Sequence, residues 1–266
     1  MVKIVEEKCI GCGLCVQDCP VKNLAVVNEK ATVRGTCMEC GHCFAVCPSK
    51  AVCISDYPSD GIIEFKNEVS YVSGDEFLRF IKSRRSIRNY QEKRIDKETW
   101  AKVLEAGRFT ATGANIQDVK YMVVQDELET VKKYVWSGFT AMIEQLKRVQ
   151  GEGNPLVQRL QAMNAVYQAS PQNDPLFFNA PSLLVITSGS PLNGGLAASN
   201  IELMAHAEGL GVLFSGFIQR GLAANDAACD YLGIEKTHIC ACMLVGYPNI
   251  KYQRSVPRKT AEIQWR

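Results

Sequence analysis

The segment KCIGCGLCVQDCP, residues 8–20, and its echo TCMECGHCFAVCP, residues 36–48, restrict this chain more than anything else in it. Each copy reads C-x2-C-x2-C-x3-C-P, and together they hold eight of the twelve cysteines in 266 residues. Three thiols spaced so closely can wrap one face of a small inorganic cluster. The fourth cysteine of each copy then reaches across to the other triplet.

That pattern assigns Cys9, Cys12, Cys15 and Cys47 to one [4Fe-4S] cluster, and Cys37, Cys40, Cys43 and Cys19 to a second. Gly11, Gly13 and Gly41 suit the tight turns that bring backbone N–H groups close to cluster sulfides. Pro20 and Pro48 turn the chain directly after each fourth ligand. A structural zinc site needs four ligands and leaves no role for the third cysteine of each triplet or for the trailing Cys-Pro. Disulfides suit an oxidising compartment, whereas the opening MVKIVEEK has no apolar core of a secretory signal, so a cytoplasmic protein is expected. Over about residues 1–54 the pattern resembles the bacterial two-cluster ferredoxins.

The rest of the chain is long enough for a globular domain with its own core. Hydrophobic residues make up 47%, and no apolar run is long enough for a membrane span. A net charge of +2 argues against a general polyanion binder, so neither nucleic acid nor membrane is expected as a partner. SDYPSDG, residues 55–61, opens a linker taken as 55–69, and a second domain follows over 70–266. IIEFKNEVSYV suggests a short strand or an extended crossing, and GDEFLRFIKSRRS begins a helix. DKETWAKVLEAGRFT is an amphipathic helix from Asp96, KYMVVQD a strand, and the segments from Glu127 to Gln150 and from Asn154 to Gln168 two more helices. APSLLVITSG reads as a buried strand, GLAASNIELMAHAEGLG as an Ala-rich helix ending on glycine, and THICACMLVGYP as a last strand. Strands separated by long helices indicate a sheet covered by helices.

The stretch KSRRSIRNYQEKR, residues 82–94, carries six basic residues against one Glu. It reads either as a solvated helix end or as a nest of guanidinium donors for a phosphate and an anionic ring. RRSIRNY resembles the motif that opens the FMN-dependent nitroreductase family, and further landmarks follow in that family's order. These are TATGANIQDVKYMVV, DPLFFNAPSLLVIT from Asp174, AASNIELMAHAEGLGVLFSGF, and the basic tail VPRKTAEIQW. The resemblance implies an α+β fold: a nitroreductase-like, helix-covered sheet domain preceded by the small two-cluster domain.

Carried onto this sequence, the family's FMN site implies Arg84 and Ser86 at the phosphate or ribityl end, Arg85 near them, and Arg258 or Lys259 closing from the tail. Arg88 falls near N1 and O2 of the isoalloxazine, where a fixed positive charge favours the anionic reduced flavin. Asn115 is expected on the pyrimidine edge with Gln117 nearby, and the amides around Ser215 and Gly216 on O4 and N5. This chain departs from the family after Gln117, where Asp118 and Val119 replace the usual Pro-Trp. Trp136, Phe139 and Tyr167, on the two helices expected to roof the pocket, are either pocket lining or core. Cys229, Cys240, Cys242 and Cys53 read as structural, as does His206, and His42 lies inside a cluster loop.

The resemblance implies an FMN oxidoreductase fed through two [4Fe-4S] clusters and reducing a small organic acceptor such as a nitroaromatic or quinone. Clusters pass single electrons, most organic reductions need two, and flavin converts between them. The resemblance also implies a homodimer, and a low-potential donor such as ferredoxin or flavodoxin is expected, since no G-x-G-x-x-G unit marks a nicotinamide-binding fold. Two other readings remain open: an electron-transfer flavoprotein serving a partner protein, and a flavin- or ligand-binding sensor without turnover.

Overall fold

The computed structural model describes residues 1–57, 61–65 and 72–266. The chain divides into two compact units, one of Met1–Tyr71 with Thr112–Gln117 and one of Val72–Ala111 with Asp118–Arg266.

In the first unit, β1 (Val2–Ile4) pairs antiparallel with β4 (Val52–Ile54), and β2 (Leu24–Val27) with β3 (Lys30–Val33). The short helices α1 (Leu14–Gln17) and α2 (His42–Ala45) repeat each other as the sequence does. Each follows a left-handed glycine, Gly13 at φ 77° or Gly41 at φ 78°, and each buries the third cysteine of its triplet. Gly11 also has a positive φ, and a Cβ there would lie 2.3 Å from the Glu29 carbonyl oxygen, so the turn between the first two cysteines admits no side chain. Val2, Leu24, Ala31, Ala51 and Val52 pack with Cys9, Cys15, Cys19 and Cys43 into the small core. Of the linker expected over 55–69, the described residues Ile62–Phe65 have no regular structure, and positions 58–60 and 66–69 lie outside the described residues. The extended segment read in IIEFKNEVSYV likewise falls mostly outside them.

The second unit opens with α3 (Gly74–Ser83), started by a capping box in which Ser73 and Glu76 satisfy each other's backbone amides. Asp96 caps α4 (Lys97–Arg108) by accepting from the Thr99 amide at 2.8 Å. Then come β5 (Lys120–Val124), α5 (Leu128–Gln150), α6 (Pro155–Ala169), β6 (Ser182–Thr187), α7 (Pro191–Ala207), β7 (Gly211–Phe214), α8 (Gly216–Ala223), α9 (Asp226–Leu232) and β8 (Ile239–Gly246). The four strands form one antiparallel sheet in the order β5-β6-β8-β7. Every residue of β6 is buried, because successive side chains serve opposite faces. Leu183 and Val185 join Val135 and Phe139 of α5 and Leu222 of α8 on one side. Leu184 and Ile186 join Val103 of α4 and Ile201 of α7 on the other. Each such side chain removed from water contributes about 1.5–3 kcal/mol.

Trp136 and Phe139 belong to this core rather than to a pocket. The Trp136 ring stacks on Tyr167 at 4.1 Å and meets Phe139 edge-on at 5.3 Å, and its indole N–H donates to the Asp174 carboxylate at 3.3 Å. Among the described residues no helix is long and apolar enough to cross a membrane.

Candidate functional site

The two sets of four cysteines gather around separate narrow cavities of the first unit. Cys9, Cys12, Cys15 and Cys47 line one, with Gly11 and Gly13 beside them. Cys19, Cys37, Cys40 and Cys43 line the other, with Gly41. One sulfur in each set crosses from the other repeat: Cys47 into the first, Cys19 into the second. Backbone amides already point at several sulfurs, with Ala31 N–H to Cys9 at 3.3 Å, Asn23 N–H to Cys19 at 3.2 Å, Glu39 N–H to Cys37 at 3.3 Å and Ala51 N–H to Cys47 at 3.2 Å. Such donors favour thiolates and tune a bound cluster. Burial pushes the Cys43 thiol up to about 11 and also raises Cys15, with neighbouring thiols adding to both. Burial raises Cys47 too, but amide and hydroxyl donors around Ser49 and Ala51 outweigh it and hold that thiol below its ordinary value. A set of four thiols with converging amide donors fits a cationic iron-sulfur core, which supplies the charge that buried thiolates require.

In the second unit the RRSIRNY segment runs along the sheet edge. Ser86 bridges to Val212 of β7, and the Ile87 amide donates to the Val212 carbonyl at 3.0 Å. Gly211 makes room for this, since a Cβ there would lie 2.3 Å from an Ile87 side-chain carbon. Ile87 and Tyr90 are buried, and the Tyr90 hydroxyl donates to the Ile87 carbonyl at 2.9 Å. With these two anchored, Arg84 and Arg85 before them and Arg88 between them turn toward two cavities.

Arg84 and Arg85 line a cavity of about 230 Å³ together with Ser83, Glu202 and His206. The Arg84 guanidinium donates to Glu202 of α7 at 2.7 Å. Burial raises the Glu202 pKa above the ordinary carboxylate value, with Arg84 opposing it. The His206 ring lies 2.8 Å from the Ser83 hydroxyl and 4.9 Å from the Phe80 ring, and burial, then the Arg84 charge, holds it below its usual pKa. Glu202 escaped the sequence reading, although an acid in the middle of the Ala-rich helix was the available signal.

Arg88, Ser215 and Gly216 line a larger cavity of about 620 Å³. Ser215 caps α8, and its own amide donates to the Cys242 carbonyl at 2.8 Å. The Gly216 and Phe217 amides are left for a ligand, in the first helical turn, where N–H groups have no intrahelical acceptor. The cavity's volume falls in the range of small-molecule and cofactor sites, and a fixed cation beside a helix-start amide suits the electron-rich edge of a flavin ring. Of the helices expected to roof the pocket, α6 contributes Arg159 and Met163 to the lining. Phe178 also lines it, turned there by a left-handed backbone at φ 52°. Nothing in the sequence marked that turn.

Asn115 and Gln117 lie in the first unit. The Asn115 side-chain amide donates to the carbonyls of Met38 at 3.3 Å and Glu39 at 3.1 Å, and Gln117 donates to the Tyr57 hydroxyl at 2.7 Å. Ala114, Asn115 and Gln117 all have positive φ, a strained run of the kind found at functional loops. Asp118 accepts from the Ser188 hydroxyl and the Gly189 amide, each at 2.8 Å, and from Asn193 at 3.1 Å, so the departure from Pro-Trp supplies an acidic clamp at the start of α7. Arg258 and Lys259 are exposed on the irregular C-terminal stretch. Cys242 and Cys229 are buried, while Cys53 is exposed. The Cys240 thiol is directed at the carbonyls of His238, Ser188 and Ser190.

Residues 81–247 match the model of the nitroreductase family. The chain belongs to the nitroreductase family. Residues 1–48 match a 4Fe-4S dicluster domain. Among solved structures, a nitroreductase with bound FMN from Bacteroides fragilis NCTC 9343 is similar over 71% of this chain and 99% of its own, at 19% identity and a TM-score of 0.55. An FMN-dependent nitroreductase from Clostridium difficile R20291 is similar over 72% and 100%, at 20% identity and 0.52. A nitroreductase with bound FMN from Desulfitobacterium hafniense DCB-2 is similar over 70% and 97%, at 18% identity and 0.54. No curated protein matches the chain. At these identities the structures show the fold, and family membership supports an oxidoreductase carrying a ferredoxin-like cluster segment.

Proposed function

We propose that this nitroreductase-family protein is an FMN oxidoreductase that takes electrons through two [4Fe-4S] clusters and reduces a small organic acceptor such as a nitroaromatic or quinone. The observation that carries this reading is the convergence of Arg88, Ser215 and Gly216, separated by more than a hundred residues in sequence, on one cavity of about 620 Å³. When bound, the clusters pass single electrons and FMN converts them into pairs.

The chain's own residues do the rest. The eight motif cysteines, in their two sets of four, hold the clusters. Arg88 supplies a fixed positive charge where negative charge gathers on the reduced ring, and the Gly216 amide gives a donor at the reactive edge. Glu202 holds the Arg84 guanidinium in one orientation at the phosphate end, with Arg85 and Ser86 adjacent. Arg258 and Lys259 close from the tail. The assembly in this reading is a cytoplasmic homodimer with domains 1–54 and 70–266, supplied by reduced ferredoxin or flavodoxin.

The donor separates this reading from an ordinary nicotinamide-driven member of the family. Under anaerobic conditions, reduced ferredoxin should reduce the flavin at least about tenfold faster than NADH at equal concentration, because the protein-bound clusters are the entry point. Equal rates would contradict it.

A further inference from the structure

The cavity that holds Arg88 carries more positive charge than a flavin alone calls for. Arg159 of α6 and Arg220 of α8 line it as well, and no Asp or Glu is among its lining residues. None of the three arginines forms an ion pair among the described residues. The whole chain has a formal net charge of only +2, so three uncompensated guanidinium groups around one cavity are a local concentration of charge, not a reflection of composition.

The walls between them are aromatic. Phe178 lies 6.0 Å below the Arg88 guanidinium, and Phe217 lies 5.9 Å from that of Arg220. Phe178 adopts φ 52° and Asn179 φ 54° to make that turn. A bulky aromatic in the left-handed region is costly, and here the strain sends the Phe178 ring to the cavity while Phe177 stays fully buried in the core. Guanidinium forks match carboxylates in a bidentate way, and the three arginines are solvent-exposed at the mouth of the cleft, where an incoming anion meets them.

Resting on the reading that Arg88 serves the flavin, we propose that Arg159 and Arg220 select a planar acceptor bearing a carboxylate. The conjugated part of the acceptor lies between the phenylalanine rings, and its carboxylate is held by the two arginines. Clustered positive charge with no opposing acid also draws anions into the cleft ahead of neutral analogues.

The test is equilibrium binding to the purified oxidised holoprotein at low salt, with benzoate and its neutral isostere benzamide as probes. Binding is read from perturbation of the flavin spectrum and, independently, by calorimetry. Benzoate should bind about tenfold or more tighter than benzamide, the loss expected when a charged hydrogen-bond partner is missing. The Arg159→Gln/Arg220→Gln protein should lose that preference, and the Arg159→Lys/Arg220→Lys protein should recover part of it. Equal affinities in the unsubstituted protein, or a preference that survives the double glutamine substitution, would overturn the proposal. If the purified protein carries no FMN, the proposed function fails, while calorimetry still decides whether the two arginines discriminate the anion.

Discussion

Gly11 shows how narrowly single residues are specified. Its positive φ and the 2.3 Å approach of the Glu29 carbonyl to a Cβ leave no room for alanine. Gly11→Ala should therefore cost more than about 1 kcal/mol locally and misplace Cys9 or Cys12. Iron per chain and visible cluster absorbance should both fall by up to about half, in proportion to one cluster lost of two; full occupancy would show that the loop can shift. Residues whose chemistry is distinctive were legible in the sequence: the eight cysteines, and the arginines flanking Ser86. Residues that matter through a distant contact were not. Glu202 acquires its meaning only when α7 brings it 2.7 Å from Arg84, and Phe178 only through a backbone turn that Phe itself does not favour.

Among elements, the contact between α5 and α8 is the tightest that glycines permit. A Cβ on Gly138 would lie 2.0 Å from the Gly221 carbonyl oxygen, and one on Gly221 would lie 2.7 Å from the Val135 carbonyl oxygen. Gly138→Ala should force the helices apart at about 1–3 kcal/mol and lower the thermal midpoint by several degrees, as read by circular dichroism. Because α8 begins at Gly216, its displacement should also weaken FMN retention on gel filtration; an unchanged midpoint would mean that the helices separate without strain. β6 was readable as an unbroken apolar run, and the long α4 and α5 as helices with capped or acidic starts. β7, α8 and α9 went unread because each is short and none has the unbroken apolar run that marked β5, β6 and β8 or enough turns to show a helical period. Strand order was also hidden. The strands are separated by helices, yet all pairings are antiparallel, with β8 inserted between β6 and β7.

For the whole molecule, the two units divide the chemistry: cysteine-lined cavities in one, the basic aromatic cavity in the other. The presence of both kinds of site was legible because the cysteine repeat and the RRSIRNY motif are each local in sequence. The lining of the larger cavity by Arg159, Phe178 and Arg220 was not, since α6, α8 and the turn before β6 bring these side chains together only in the fold. In the proposed function electrons enter at the clusters and leave at the flavin, and this order can be observed directly. It is tested by reducing the purified protein stoichiometrically without oxygen, mixing it with a nitroaromatic in a stopped-flow instrument, and following flavin and cluster bands separately. The flavin should reoxidise rapidly, with the clusters reoxidising after it. A flavin that stays reduced, or clusters that reoxidise while it does, would rule out that order of electron flow.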